Sequence, residues 1–371
     1  MKSIFRKQGL WIALGAFVLL AGSCAQNSGS SLHRIMDKGL FGWMDSTGKV
    51  VIPATYQGAE DFKEDMALAV QDGKIGYINT SGTAIVPFQY EKGGNFSEGL
   101  AYVTKEGKVG YINKSGEMVI PAQWDFGNDF SEGLALVGRG QMFGFIDPTG
   151  KEVVPPMYQF AAPFSEGLAL VVNGNLGGFI DKTGKVVIDL QFVYADSFKE
   201  GLALALFPSE NTTDKPKASF ITKDGKKAFE NEYEYAQSFS EGLGLIVVEG
   251  KAGFINTKGE VVIEPTYGFV KPFSEGLAAV EKDGLIGFIN PKNEMVIPAV
   301  YDQADTFKNG LALVYKGTDL SYINKKGEVI WTAVDMGQSG EPESMEDLSG
   351  LQPAVGPEAG PESQPEPETL Q

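Results

Sequence analysis

The sequence is poorest in the residues that most enzymes use. Its 371 residues hold one histidine, His33, and one cysteine, Cys24. With so little to draw on, a Ser-His or Cys-His catalytic pair and a histidine-based zinc site are close to excluded, and a lone cysteine rules out an internal disulfide. No G-x-x-x-x-G-K-[ST] stretch is present to cradle a phosphate. Lysine and arginine number 31 against 48 aspartates and glutamates, a formal net charge of −17. No basic stripe with interleaved aromatics breaks that excess, so nucleic acid is not an expected partner. The one long apolar run, Leu10–Leu20, is too short to span a bilayer, which takes about 20 residues.

What is present begins with two unusual ends. Met1–Ser23 carries Lys2, Arg6 and Lys7, then the apolar run, then small residues, the pattern of a secretory signal. The Ala21-Gly22-Ser23-Cys24 that ends it resembles the lipobox of bacterial lipoproteins, although Ala21 stands where that family prefers leucine. The resemblance implies cleavage before Cys24 and its acylation, which would anchor the chain to a membrane through several acyl chains. Residues 24–31 read as a polar linker. At the other end, 337–371 holds eight acidic residues, no lysine or arginine and no aromatic, and reads as a disordered acidic tail. Residues 24–336 keep a net charge of −12, which favours solubility over docking flat on anionic lipid.

Between the ends the chain repeats itself. The phrase FSEGLA and its variants occur eight times, from Phe62, Phe96, Phe130, Phe164, Phe198, Phe239, Phe273 and Phe307. A second phrase, GYIN or GFID and its relatives, runs in phase with it at Gly42, Gly76, Gly110, Gly144, Gly178, Ser219, Gly253, Gly287 and Ser321. The step is 34 residues, except for 41 between Gly178 and Ser219. Such a period replaces the usual count of domains with one array. The unit Leu134–Gly167 contains three short β-favouring runs, LALV, MFGFID and KEVVP, joined by Gly-containing turns, and so predicts a three-stranded antiparallel meander. Nine such units span 32–336.

The recurring residues have structural explanations. The repeat glycine marks a strand site approached closely by another chain segment. The Asn or Asp two residues past the aromatic starts a turn ending in Gly, and single carboxylates spaced 34 apart do not make a calcium cluster. The phased aromatics Tyr56, Tyr90, Trp124, Tyr158, Phe192, Tyr233, Tyr267 and Tyr301 read as the apolar seam between units, with a carbohydrate-stacking platform as the sharper alternative. The glutamates of FSEG read as turn residues. No metal or cofactor is expected.

The string G-K-x-G-[FY]-I-[ND]-x-x-G-x-x-V-I-P, then Y, then F-S-E-G-L-A, resembles the WG repeat (KWG) family of bacterial envelope and secreted proteins over residues 32–336. The tryptophan that names the family is replaced here by Phe41, Ile75, Val109, Phe143, Gly177, Ala218, Ala252, Ile286 and Leu320. The resemblance implies an all-β repeat fold and supplies no catalytic residue. Propellers ordinarily have about 4 to 8 blades of four strands, so nine three-stranded units favour an open, curved or superhelical stack over a closed propeller-like ring.

The expected function is that of a non-catalytic binding or scaffold module for an envelope protein or a glycan. A carbohydrate-active enzyme with paired carboxylates is the alternative. Specificity in an array lies where units differ, which singles out Trp124 in place of tyrosine, Arg139 in a turn poor in arginine, and Asn211, Asp214 and Lys215 of the insertion FPSENTTDKP. The expected address is the cell envelope, outer membrane ahead of inner. Ala25 rather than Asp after the cysteine is compatible with facing either the periplasm or the exterior.

Overall fold

A computed structural model describes residues 32–208 and 216–333. The signal segment, Cys24 and its linker, Asn211, Asp214 and Lys215, and the tail lie outside the described residues. Those described form nine antiparallel sheets, six of four strands and three of three. They are blade 1 (His33–Tyr56), blade 2 (Gly58–Tyr90), blade 3 (Lys92–Trp124), blade 4 (Phe126–Tyr158), blade 5 (Phe160–Phe192), blade 6 (Tyr194–Ile221), blade 7 (Tyr235–Tyr267), blade 8 (Ala278–Tyr301) and blade 9 (Gln303–Thr332).

Blade 4 shows the plan, with Phe126–Ser131, Leu134–Arg139, Met142–Ile146 and Glu152–Tyr158 hydrogen-bonded in chain order. The last three are the meander expected from sequence. The extra strand corrects the three-stranded reading: the start of the segment returning from one unit pairs with the first long strand of the next. In most blades it is only two residues long, as in Phe160–Ala161. LALV is buried throughout, because both faces of its sheet pack against neighbouring blades, so a continuous apolar run replaces the alternation of a half-exposed strand. The outer strand Glu152–Tyr158 does alternate.

A hydrophobic cluster fills each of the eight gaps between consecutive blades. In every gap the aromatic of the GFID phrase on one blade meets the FSEG phenylalanine of the next. Phe145 and Phe164 sit edge-on at 4.8 Å, Tyr111 and Phe130 at 5.1 Å, Trp43 and Phe62 at 5.4 Å. The two phrases are in phase because they touch.

A ninth cluster joins Ile35 and Met44 of blade 1 to Leu311 of blade 9, with Tyr322, Ile330 and Trp331 packed against it. The Tyr322 hydroxyl donates to the Arg34 carbonyl at 2.8 Å, Lys308 pairs with Asp61, and buried His33 lies against Tyr322 at 5.8 Å. The chain is therefore a closed nine-bladed β-propeller, and the open stack favoured on strand count gives way to the ring. Closure covers the two apolar end faces that an open array would leave in water.

The repeat glycines are fixed by the outer strand. Phe143 pairs with Tyr158 and Phe145 with Val154, so a step of two residues faces a step of four. This bulge presses backbone onto Gly144, where a Cβ would lie 2.3 Å from the Val154 carbonyl oxygen. The other six glycines of the series meet the same crowding. Prolines 53, 87, 121, 155, 265 and 298 lie in these outer strands. The two serines of the series confirm the cause. Ser321 pairs directly with Thr332, without a bulge at that step, and in blade 6 the outer strand is missing, with Ala218 meeting Tyr233 in an isolated bridge.

FSEGL is a two-residue hairpin with left-handed backbone at both central positions, as in Glu132 at φ 54° and Gly133 at φ 87°. Each glutamate carboxylate accepts the glycine N–H of the next blade's turn, at 2.8–3.1 Å across seven successive turns. Where the turn has serine, its hydroxyl donates to the next phenylalanine carbonyl at 2.6–2.8 Å. The glutamates serve as turn residues and also link blade to blade. Four of them also hold a lysine of the next blade at 3.1 Å.

Two outcomes are expected. Phe130, 2% exposed, fills the gap between blades 3 and 4, so Phe130→Ala lowers unfolding free energy by roughly 3–5 kcal/mol. An unchanged denaturant melt would remove it from the core. Gly144→Ala costs about 1–3 kcal/mol through overpacking. By contrast Ser219→Ala is neutral or stabilising, because the buried Ser219 hydroxyl has no partner. Equal losses in the two variants would refute the bulge as the cause.

Candidate functional site

Consecutive FSEGL turns touch, as equivalent points of a ring do only near its axis, so the short strands that lead into them are taken as the inner edges of the blades. Five residues precede each FSEG phenylalanine, from Gln57 to Asp61 in blade 2 and from Asp302 to Thr306 in blade 9. The first of the five often secures the hairpin beside it. Gln57, Asp125 and Asp302 accept the backbone N–H of Gly73, Gly140 and Gly317 at 2.9, 2.7 and 2.6 Å. The third, a small residue in most copies, packs into the gap between blades, as Ala161 does at 2% exposure.

The second and fourth residues share the opposite side, by the alternation of a strand. The second is aromatic on five consecutive blades, as Phe126, Phe160, Tyr194, Tyr235 and Phe269, and Gly58, Lys92 and Gln303 elsewhere. Tyr194, Tyr235 and Phe269 are 50%, 51% and 42% exposed. Phe126 and Phe160 are partly buried, the former edge-on to Phe143 at 5.4 Å. The fourth residue is mostly polar. Tyr194 donates its hydroxyl proton to Asp196 at 2.5 Å, and Gln237 donates its amide to the Tyr235 hydroxyl at 2.7 Å.

Polar contacts also cross between blades here. Ser238 reaches Asp196 at 3.3 Å, Lys271 pairs with Asp305 at 2.7 Å, and Arg34 lies 3.8 Å from Glu60. Burial pushes Asp61 up, but the hydrogen bond and charge of Lys308 outweigh it and hold the carboxyl below its usual range.

Blade 4 departs from the rest. Asp129 points back at blade 3, where Gly94 leaves room: a Cβ on Gly94 would lie 2.2 Å from Asp129 Oδ1 and 2.1 Å from the Tyr102 ring. Asp129 Oδ1 and Asn95 Oδ1 are buried without partners. Burial pushes the Asp129 carboxyl up to about 7 and Glu60 adds its charge, against the hydrogen bond donated by the Asn95 backbone N–H and the charge of Lys63. Burial likewise raises Glu60, with Arg34 opposing.

Two residues singled out from the sequence meet. The Arg139 guanidinium lies 4.6 Å above the Trp124 ring and 3.0 Å from Glu152. Trp124 is 1% exposed and belongs to the core between blades 3 and 4, so its face is already covered. Most of the phased aromatics are buried in the same way, which leaves them no face for a sugar. The Asn and Asp turn residues accept backbone N–H groups two and four residues ahead, as Asp147 does from Thr149 and Lys151 at 2.9 and 3.1 Å. The inner aromatics were missed. Their signal was an aromatic four residues before the FSEG phenylalanine in five consecutive copies, inside a segment read only as a return.

The raised Asp129 sets a pH dependence. At about pH 4 and below both folded and unfolded chains hold the proton; between about 4 and 7 the unfolded chain releases it first and stability falls, levelling off above 7. Asp129→Asn therefore raises stability at pH 8 by roughly 1–3 kcal/mol and removes that part of the slope. Urea melts at pH 5 and pH 8 measure it, and an unaltered slope excludes Asp129 as its source.

The model of the WG containing repeat matches residues 41–74, 75–108, 110–140, 143–176, 178–206, 219–251, 253–285 and 286–317. No curated protein matches the sequence. Among solved structures, a eukaryotic initiation factor is 12% identical and superposes with a TM-score of 0.57 over 81% of this chain and 95% of that one, a likeness of fold. BamB from Moraxella catarrhalis is 12% identical over 83% of this chain and 99% of that chain, TM-score 0.40. The dihydro-heme d1 dehydrogenase NirN is 14% identical over 72% and 73%, TM-score 0.44. The eight matched stretches take up most of the sequence and place the chain in the WG containing repeat family.

Proposed function

We propose that this propeller is a non-catalytic binding or scaffold module, held at the cell envelope by lipid on Cys24, that presents its inner edge to a protein or glycan partner. One observation carries the reading. Units that copy one another in their turns and gaps diverge in the inner segment, where aromatics and polar groups are exposed. Variation confined to one edge of a repeat array is where partner specificity is built. The net charge of −12 over residues 24–336 argues against nucleic acid.

The enzyme alternative rests on Glu60 and Asp129, two acids that burial pushes up, Asp129 also feeling the charge of Glu60. It would act on glycosidic bonds.

Mild cross-linking on intact cells, capture of the protein and identification by mass of what is joined to it test the reading. The expected outcome is one dominant partner, lost in Tyr194→Ala with Tyr235→Ala, and release of the protein from membranes in Cys24→Ala. A partner retained by the double variant would sink the inner-edge assignment. Glycan hydrolysis abolished by Asp129→Asn would replace binding with catalysis.

A further inference from the structure

The inner edge is two-sided. Blades 4 to 8 carry an aromatic at the same strand position, while blades 2, 3 and 9 carry glycine, lysine and glutamine there. Five side chains related by one blade step make an arc, with Tyr194, Tyr235 and Phe269 exposed and Phe126 and Phe160 partly buried against the gap clusters. A surface that repeats with a fixed step matches a ligand that repeats with a fixed step, whereas a folded protein partner offers no such periodicity. In four of the five blades a polar side chain stands two residues further along the same segment: Asn128, Asp196, Gln237 and Lys271. In two of these pairs ring and polar group are joined, Tyr194 to Asp196 and Gln237 to Tyr235. A ring face beside hydrogen-bonding groups suits a pyranose, whose C–H face stacks while its hydroxyls bond at the side.

Charge narrows the class. Asp196 and Asp305 lie on this edge and Lys271 is already paired with Asp305 at 2.7 Å, so an anionic polymer would meet carboxylates with no free cation of the arc to receive it. On these grounds, and resting on the inner-edge reading above, we propose that the arc Phe126, Phe160, Tyr194, Tyr235 and Phe269 is a binding site for a linear, uncharged glycan spanning up to five sugar units.

The full-length lipidated protein in detergent is titrated by calorimetry with cello-, xylo-, malto-, manno- and chito-oligosaccharides of two to six units, and with neutral polysaccharide prepared from the cell envelope. The expected result is binding to one series with affinity that rises with chain length. It weakens about tenfold in Tyr235→Ala and in Tyr194→Ala and is kept in Tyr235→Phe, with melting unchanged in all three because both rings are exposed. Absence of binding to every probe, or equal binding by the alanine variants, overturns the glycan assignment. A photo-reactive phenylalanine placed at 235 separates the two readings. If it captures a protein, the glycan falls and the inner-edge reading stands; if it captures nothing and no sugar binds, both fall.

Discussion

Each gap between blades depends on one edge-on contact, between the aromatic of the GFID phrase and the phenylalanine of the next FSEG turn. Rings at about 5 Å set how closely two sheets approach, and the hydrogen bonds between turns set how far one slides along the other. The glutamates in those bonds sit in left-handed backbone, which costs an ordinary residue roughly 1–2 kcal/mol. A charge-assisted hydrogen bond to the next glycine offsets that strain. The ends of the series support this account. The last turn, with no FSEG turn after it, has Asn309 in place of glutamate, and asparagine tolerates the left-handed region better. The first turn, with no glutamate before it, has Asp65 in place of the glycine donor.

Much of this was legible because repetition displays constraint. Seven glycines at one phase meant close approach, and the structure supplies the bulged strand that comes close. Asn and Asp at another phase meant turns, and their side chains accept the turn amides. The ring was not legible, because closure joins Ile35 and Met44 to Leu311, Tyr322, Ile330 and Trp331, where Tyr322 of the second phrase has no FSEG phenylalanine of a next blade to meet. A two-residue strand such as Phe160–Ala161 carries too little pattern to be read beforehand. The inner aromatics lay in a segment whose variability hid their own period. Trp124 and Arg139 were conspicuous as exceptions, yet Trp124 is buried in a gap and the exposed Arg139 lies over its ring.

The molecule therefore separates its duties by radius. Turn bonds and ring contacts repeat nearly unchanged around the circle, while the inner edge varies from blade to blade and the outer strand departs from the pattern in blades 6 and 9. The seam lies between blades 9 and 1, and the aromatic arc runs over blades 4 to 8, ending one blade short of it. Asp129 and Tyr102 specialise the edge between blades 3 and 4, where a buried carboxyl replaces the small packing found elsewhere.

The bulged outer strand has a consequence beyond the glycine it crowds. A ring of sheets presents a row of outward edges, several with exposed valines such as Val50, Val186, Val261 and Val329, and a flat edge of that kind is a template for pairing with another molecule. The bulge bends each strand away from a straight ladder, and a proline in most blades withdraws one of the N–H groups a foreign strand would seek. The feature that forces glycine inside the blade therefore also guards the rim against edge-to-edge aggregation.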